Sequence, residues 1–285
     1  MMVETNSVPP EPDGRRGLPM DVTFTPCHHA GSGTPMVCLH GFTDTWRSWQ
    51  LILPALEARH EVLAPTLPGH AGGPPLDGRV DVDRIADLLE EAMDRVGFAT
   101  AHLVGNSLGG YLALRLAARG RARTVVAFAP AGGWAEDAAV RETLRYFARM
   151  HELVRQAAPH ADRIAASPDG RRQATAAITT NFEHIPSRLV AHLIRGAAAC
   201  DAALPLIEYA SRNGYRLDAE KIDCPVRIIW GTGDKLLAWP SAADLYRRRW
   251  LPHADWVELE GVGHCPQLDV PLEAAQLILG FTARS

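Results

Sequence analysis

Along this chain, short apolar runs alternate with stretches whose apolar positions recur every three to four residues. The clearest periodic stretch covers residues 83–97, where Ile85, Leu88, Leu89, Ala92, Met93 and Val96 fall on one face of a helix. Asp81 or Asp83 can cap its start and Gly97 can end it. Met36–Leu39 (MVCL), His60–Ala64 (HEVLA), Ala101–Val104 (AHLV), Thr124–Phe128 (TVVAF), Val226–Trp230 (VRIIW) and Trp256–Leu259 read as strands. The unbroken apolar character of Thr124–Phe128 suits a strand covered on both faces. Thr45–Leu56 reads as one helix. Another follows residue 107, with Leu108, Leu112 and Leu116 on one side. The last helix is expected to start at Pro271, a good first-turn residue, and to run to about Phe281. This alternation implies an α/β fold, a mostly parallel sheet with helices on both faces.

Between about 132 and 214 the strand signal stops. Phe147, Met150, Leu153 and Val154, then Leu189, Val190, Leu193 and Ile194, suggest helices only. The simplest reading is a helical cap inserted between two strands, because the strand–helix pattern resumes afterwards. A separate helical domain is the alternative. The core would then comprise 18–131 and 215–285. Residues 1–17, rich in Pro, Gly and charge, are expected to form a frayed tail.

Composition narrows the classes. Over 285 residues, 47% are apolar and 22% charged, enough to bury a sizeable core. A net charge of −4 offers no basic stripe to phosphates, so no nucleic-acid partner is expected. Arg247, Arg248 and Arg249 read as a solvated helix face. The five scattered cysteines contain no C-x-x-C spacing, which argues against a disulfide framework or a zinc cluster. With no secretory h-region and no run approaching the ~18 apolar residues of a span, a cytoplasmic protein without membrane association is expected.

The chemistry concentrates at Gly105-Asn106-Ser107-Leu108-Gly109, a G-x-S-x-G between a strand and a helix. A serine on that turn is lifted into the open, and its neighbours two before and two after must be small. A serine hydroxyl needs a base, usually a histidine oriented by a carboxylate. Asp234 follows the strand VRIIW and the turn Gly231-Thr232-Gly233. His264 follows the strand near WVELE and the turn Gly261-Val262-Gly263. The order Ser, Asp, His is the one this architecture uses, with each partner beyond a strand's C-terminal end. The oxyanion of an acyl transfer would take the backbone N–H groups of Leu108 and Phe42. His40 reads as shaping the Phe42 loop. Asn106 either lines the site or fills the free position of the elbow. Trp134, Phe147, Met150, Phe182, Leu237 and Trp239 are candidate pocket residues, each also suited to packing.

Together HGF (40–42), LPGH (67–70), GNSLGG (105–110), GTGD (231–234) and GVGH (261–264) resemble the α/β-hydrolase superfamily, across about 36–131 and 215–285. The resemblance implies an eight-stranded, mostly parallel sheet with a lid over the active site. It also implies a serine hydrolase with esterase-like activity; the apolar pocket candidates favour a small, hydrophobic ester-like molecule, and the expected mechanism needs no metal or organic cofactor. Epoxide hydrolases and haloalkane dehalogenases of similar outline carry aspartate at the elbow, where this chain has Ser107. Carbon–carbon-bond hydrolases often read GNS there, with tryptophan after the catalytic histidine; here Cys265 follows. A carbon–carbon hydrolase, a lactonase, or a non-catalytic ligand sensor on the same fold are the alternatives. Oligomeric state stays open.

Overall fold

The computed structural model describes residues 23–283 apart from 77 and 79, so the expected tail over 1–17 lies outside the described residues. Seven strands form one sheet: β1 (Cys27–Gly31), β2 (Thr34–Leu39), β3 (His60–Pro65), β4 (Ala101–Asn106), β5 (Ala122–Phe128), β6 (Val226–Gly231) and β7 (Asp255–Leu259). Their order is β1-β3-β2-β4-β5-β6-β7. Only the β1–β3 pairing is antiparallel. Among the described residues the sheet therefore has seven strands, where the resemblance implied eight.

The sheet is buried on both sides, as its apolar strands predicted. Val37 and Leu39 of β2, Leu103 of β4, and Val125 and Ala127 of β5 join one core cluster. Their alternating neighbours Met36, Cys38, Val104, Val126 and Phe128 join the other. This is the two-residue period of a pleated strand feeding two separate layers.

Among the described residues ten α-helices complete the fold: α1 (Leu53–Glu57), α2 (Val82–Arg95), α3 (Leu108–Ala118), α4 (Asp137–Ala157), α5 (Ala161–Ala166), α6 (Pro168–Thr175), α7 (Ser187–Ala198), α8 (Ala203–Asn213), α9 (Pro266–Asp269) and α10 (Pro271–Thr282). In α2, Asp81 caps the first turn by accepting from Arg84 N at 2.7 Å. Past its end, Phe98 N returns to Met93 O at 2.9 Å, with Gly97 at φ 79°. That is the glycine-dependent helix stop the pattern foretold.

Two local expectations change. The single helix over Thr45–Leu56 is instead a 3-10 turn at Trp46–Trp49 followed by the short α1. Pro54 has no N–H to donate and fits only a first turn, so it starts a new helix rather than extending the old one. β1 (CHHAG) was not foreseen, because an edge strand with a polar, alternately exposed face carries no apolar run. It is tied down by His28–Glu57 at 2.6 Å and His29–Glu61 at 3.0 Å.

The helices α4 to α8 lie in sequence between β5 and β6, and no strand is assigned in that stretch. Among the described residues no single helix is long and apolar enough to cross a membrane.

Candidate active site

The centre of the site is the turn from β4 into α3. Ser107 occupies it at φ 55°, ψ −117°, a conformation that a side-chain-bearing residue adopts at a cost of about 1–3 kcal/mol. The surroundings over-determine that backbone. Ser107 N donates to Phe128 O at 2.9 Å, and Ser107 O accepts from Tyr111 N and Ala131 N at 3.0 Å each. Glycine is required on both sides: a Cβ at 105 would stand 2.2 Å from Gly109 O, and one at 109 would stand 2.1 Å from Leu39 O. β4 is the fourth of seven strands in the sheet order, so the serine emerges at the sheet's middle, on its C-terminal edge.

Asp234 and His264 reach the same edge from the loops after β6 and β7. Asp234 Oδ1 accepts from the Leu236 and Leu237 amides at 2.8 Å each. Its Oδ2 accepts from His264 Nδ1 at 2.7 Å. Both side chains are buried. The contact places the imidazole proton on Nδ1 and leaves Nε2 with a lone pair. Ser107 and His264 both line one cavity of about 190 Å³, along with Phe42 and Asn106.

The Phe42 loop abuts the serine: a Cβ on Gly41 would sit 3.4 Å from Ser107 Cβ. His40 holds that loop. Its Nδ1–H donates to Gly41 O and its Nε2 accepts from Leu67 N, both at 2.8 Å. Complete burial keeps its pKa well below the ordinary imidazole value, so it serves as a neutral brace. Leu108 opens α3, where the first amides have no partner within the helix.

Asn106 does more than fill the elbow. Its Nδ2 donates to His264 O at 2.9 Å, and its Oδ1 accepts from Cys265 Sγ and Gln267 Nε2 at 3.2 Å each. It therefore ties the serine turn to the histidine loop. The Cys265 thiol is pushed well up by burial, which makes it a poor thiolate source.

Asp269 was not among the expected site residues. Its buried carboxylate accepts from Gly263 N at 2.5 Å, beside His264. It also accepts from Thr180 N at 3.0 Å and Asn181 N at 2.6 Å in the helical segment. Cys265 N–Ile178 O at 2.9 Å and His184 Nε2–Leu268 O at 2.7 Å continue this seam. An acidic residue just ahead of a proline-started helix was its only sequence mark.

The candidate pocket residues divide. Phe147 and Met150 line the cavity. Leu237 lines a second cavity of about 40 Å³, which also touches Ser107, Leu108, Phe42 and Phe147. Trp134, Phe182 and Trp239 lie outside both. Trp134 packs in the core against Tyr215, with ring centroids 5.9 Å apart. Trp239 sits between Trp230 and Trp256, at 5.9 and 6.2 Å. Phe182 packs on the small core of the helical segment. In each case a neighbouring apolar surface claims the ring.

The chain is 32% identical over 199 residues to "Epoxide hydrolase EphH" of Mycobacterium tuberculosis, covering 69% of this chain and 92% of the relative. It is 30% identical over 270 residues to "Pimeloyl-[acyl-carrier protein] methyl ester esterase" of Aromatoleum aromaticum, covering 85% and 96%. A thermophilic esterase from Thermogutta terrifontis superposes with a TM-score of 0.69 at 19% identity, covering 90% of this chain and 92% of that one. The family model described as "Alpha/beta hydrolase family" matches residues 36–277, and the chain belongs to that family.

Proposed function

We propose that this chain is a serine hydrolase that cleaves carboxylic esters of small apolar molecules through an acyl-enzyme. The observation that carries the reading is Ser107 on its strained elbow, sharing a cavity with a histidine whose Nδ1 is held by a buried aspartate. His264 Nε2 takes the Ser107 proton as Oγ attacks the ester carbonyl. The Phe42 and Leu108 amides receive the developing oxyanion. Collapse expels the alcohol, which His264 protonates. Water, deprotonated by the same base, then releases the acid.

The esterase among the relatives supports this reading. The epoxide hydrolase name of another relative is outweighed here by residue 107, a serine where such chemistry was expected to use aspartate. A third relative, "2-hydroxymuconate semialdehyde hydrolase" of Pseudomonas sp. (strain CF600), matches over only 38% of this chain. A muconate carries carboxylate, and among the described residues no Lys or Arg lines either cavity. That favours an uncharged ester.

In this reading residues 132–214 act as a cap that roofs the site, since α4 and α7 supply one wall of the larger cavity. The five free thiols suit a reducing, cytoplasmic setting. The test is hydrolysis of p-nitrophenyl esters from acetate to palmitate by wild type and Ser107→Ala. Wild type should turn over, and the variant should lose about four orders of magnitude or more in kcat. Equal rates would overturn the assignment.

A further inference from the structure

The larger cavity contains an acid that the reaction above does not use. Asp44 stands two residues beyond the proposed oxyanion donor Phe42 and lines the same cavity as Ser107 and His264. A tight turn fixes it there: Asp44 N donates to Gly41 O at 3.3 Å, and Thr43 in between sits at φ 60°. One carboxyl oxygen, Oδ1, accepts from Thr45 N at 2.7 Å, and the Ser48 side chain is a second hydrogen-bond partner of the carboxyl group. Among the described residues no Lys, Arg or His forms an ion pair with it. Burial raises its pKa to about 7, so near neutrality it is a mixture of acid and carboxylate.

Most other polar groups on this wall are spent. Asn106 is committed to the histidine loop. The Thr43 hydroxyl donates to Phe42 O, and the Thr175 hydroxyl to Arg171 O. Across the cavity His151 keeps a buried Nδ1 without a hydrogen-bond partner among the described residues, and burial lowers its pKa, so it faces the space as a neutral ring. The rest is largely apolar, with Phe147, Val190 and Ile194 among its members.

The two cavities meet at Ser107, but only the larger is lined by His264. The base must protonate the departing alcohol, so the alcohol arm of an ester projects toward His264. The acyl arm then lies toward the smaller cavity, beside Leu108. Asp44 thereby faces the leaving group.

Resting on the esterase reading, we propose that Asp44 is a specificity residue that binds a neutral hydroxyl on the alcohol arm, making monoesters of diols the preferred substrate class. A hydroxyl satisfies one donor and one acceptor against a single carboxyl group. An ammonium with N–H groups would bring more donors than this wall has free acceptors, and a quaternary ammonium would bring none to donate while adding a second charge to desolvate. A carboxylate would meet a like charge with no cation to offset it.

Binding separates this claim from turnover. Affinities of 3-hydroxypropyl butanoate, butyl butanoate and butyrylcholine are measured by calorimetry on Ser107→Ala, alone and combined with Asp44→Leu or Asp44→Asn. The affinity ratio of hydroxypropyl to butyl ester should fall about tenfold with Asp44→Leu, the worth of one hydrogen bond. Asn keeps a polar amide in place and should hold the ratio within about threefold. Melting curves of each variant verify that the fold is retained. An unchanged ratio in Asp44→Leu would overturn the proposal, as would a choline ester that binds best and loses that advantage with Asp44. Wild-type hydrolysis of p-nitrophenyl esters is scored separately: its absence removes the esterase reading, while the binding ratio still decides the role of Asp44.

Discussion

The two walls of the cavity that Ser107 and His264 share are held in different ways. On the sheet side, Ser107, Asp234 and His264 sit just beyond strand ends, and main-chain hydrogen bonds fix the backbone around them. On the helical side, Phe147 and Met150 of α4 and Val190 and Ile194 of α7 are placed by side-chain packing. Along its 21 residues α4 fully buries only Leu144 and His151. A wall held by backbone tolerates almost no change in shape, which suits chemistry needing sub-ångström placement. A wall held by side-chain packing, half of it only partly buried, can change its lining without changing its fold, which suits selectivity.

The largest expected effect breaks the rigid wall. Gly109→Ala puts a methyl 2.1 Å from Leu39 O and 2.5 Å from His40 O, both backbone atoms that cannot step aside. We expect a loss of about 4 kcal/mol or more in stability, the range reserved for severe core clashes. Thermal melting together with ester turnover checks this. A variant melting within a few degrees of wild type at full activity would show that the sheet-side wall is softer than its packing implies.

Next in size is the seam that joins the walls. Asp269→Ala leaves the amides of Gly263, Thr180 and Asn181 without their acceptor. At about 1–3 kcal/mol for each buried donor left unpaired, a loss on the order of 3 kcal/mol is expected. Because Gly263 adjoins His264, kcat should fall more than KM rises. A change in KM alone would mean that the seam shapes the pocket and leaves the base undisturbed.

A smaller and more selective effect is expected on the helical wall. Phe147 touches both cavities and packs against Phe42, with centroids 5.5 Å apart. Phe147→Ala should merge and widen the two spaces. The preferred p-nitrophenyl ester should lengthen, with the long-to-short selectivity ratio rising roughly tenfold. Selectivity that stays flat would place the specificity on the sheet side instead.

The same contrast explains what the sequence disclosed. The elbow, Asp234 and His264 are legible because strand ends and glycine turns are written locally, in GNSLGG, GTGD and GVGH. The apolar runs of β2 to β7 are legible for the same reason. Trp134, Phe182 and Trp239 were plausible pocket residues because the sequence shows that a ring is apolar without showing which neighbour claims it. Asp269 and the brace through Asn106 depend on residues 88 and 158 positions apart meeting in space, as Asn181–Asp269 and Asn106–His264 do. The edge strand β1 escaped because its hydrogen bonds to β3, rather than an apolar face, make it a strand.

The smallest expected effect concerns Asp44, a carboxyl group on the sheet-side wall whose environment opposes its charge. Its pKa is raised to about 7 in the folded protein. In the unfolded chain an aspartate titrates near 3.9, so between about pH 4 and pH 7 the folded state holds a proton that the unfolded state has released. Stability from this group is therefore fully present below about pH 4 and is lost as pH rises through about 7. Asp44→Asn cannot ionise and escapes that loss, while its amide oxygen can still accept from Thr45 N. The melting temperature of the variant relative to wild type should climb across this window and level off above it, by on the order of a few degrees, less than the full shift would give because the carboxyl is only partly buried and solvent screens its charge. Taking the difference between the two proteins cancels the titration of every other carboxylate. A difference that stays constant from pH 4 to pH 8 would mean that Asp44 is well solvated through the cavity mouth, and that the sheet-side wall is wetter than its apolar lining suggests.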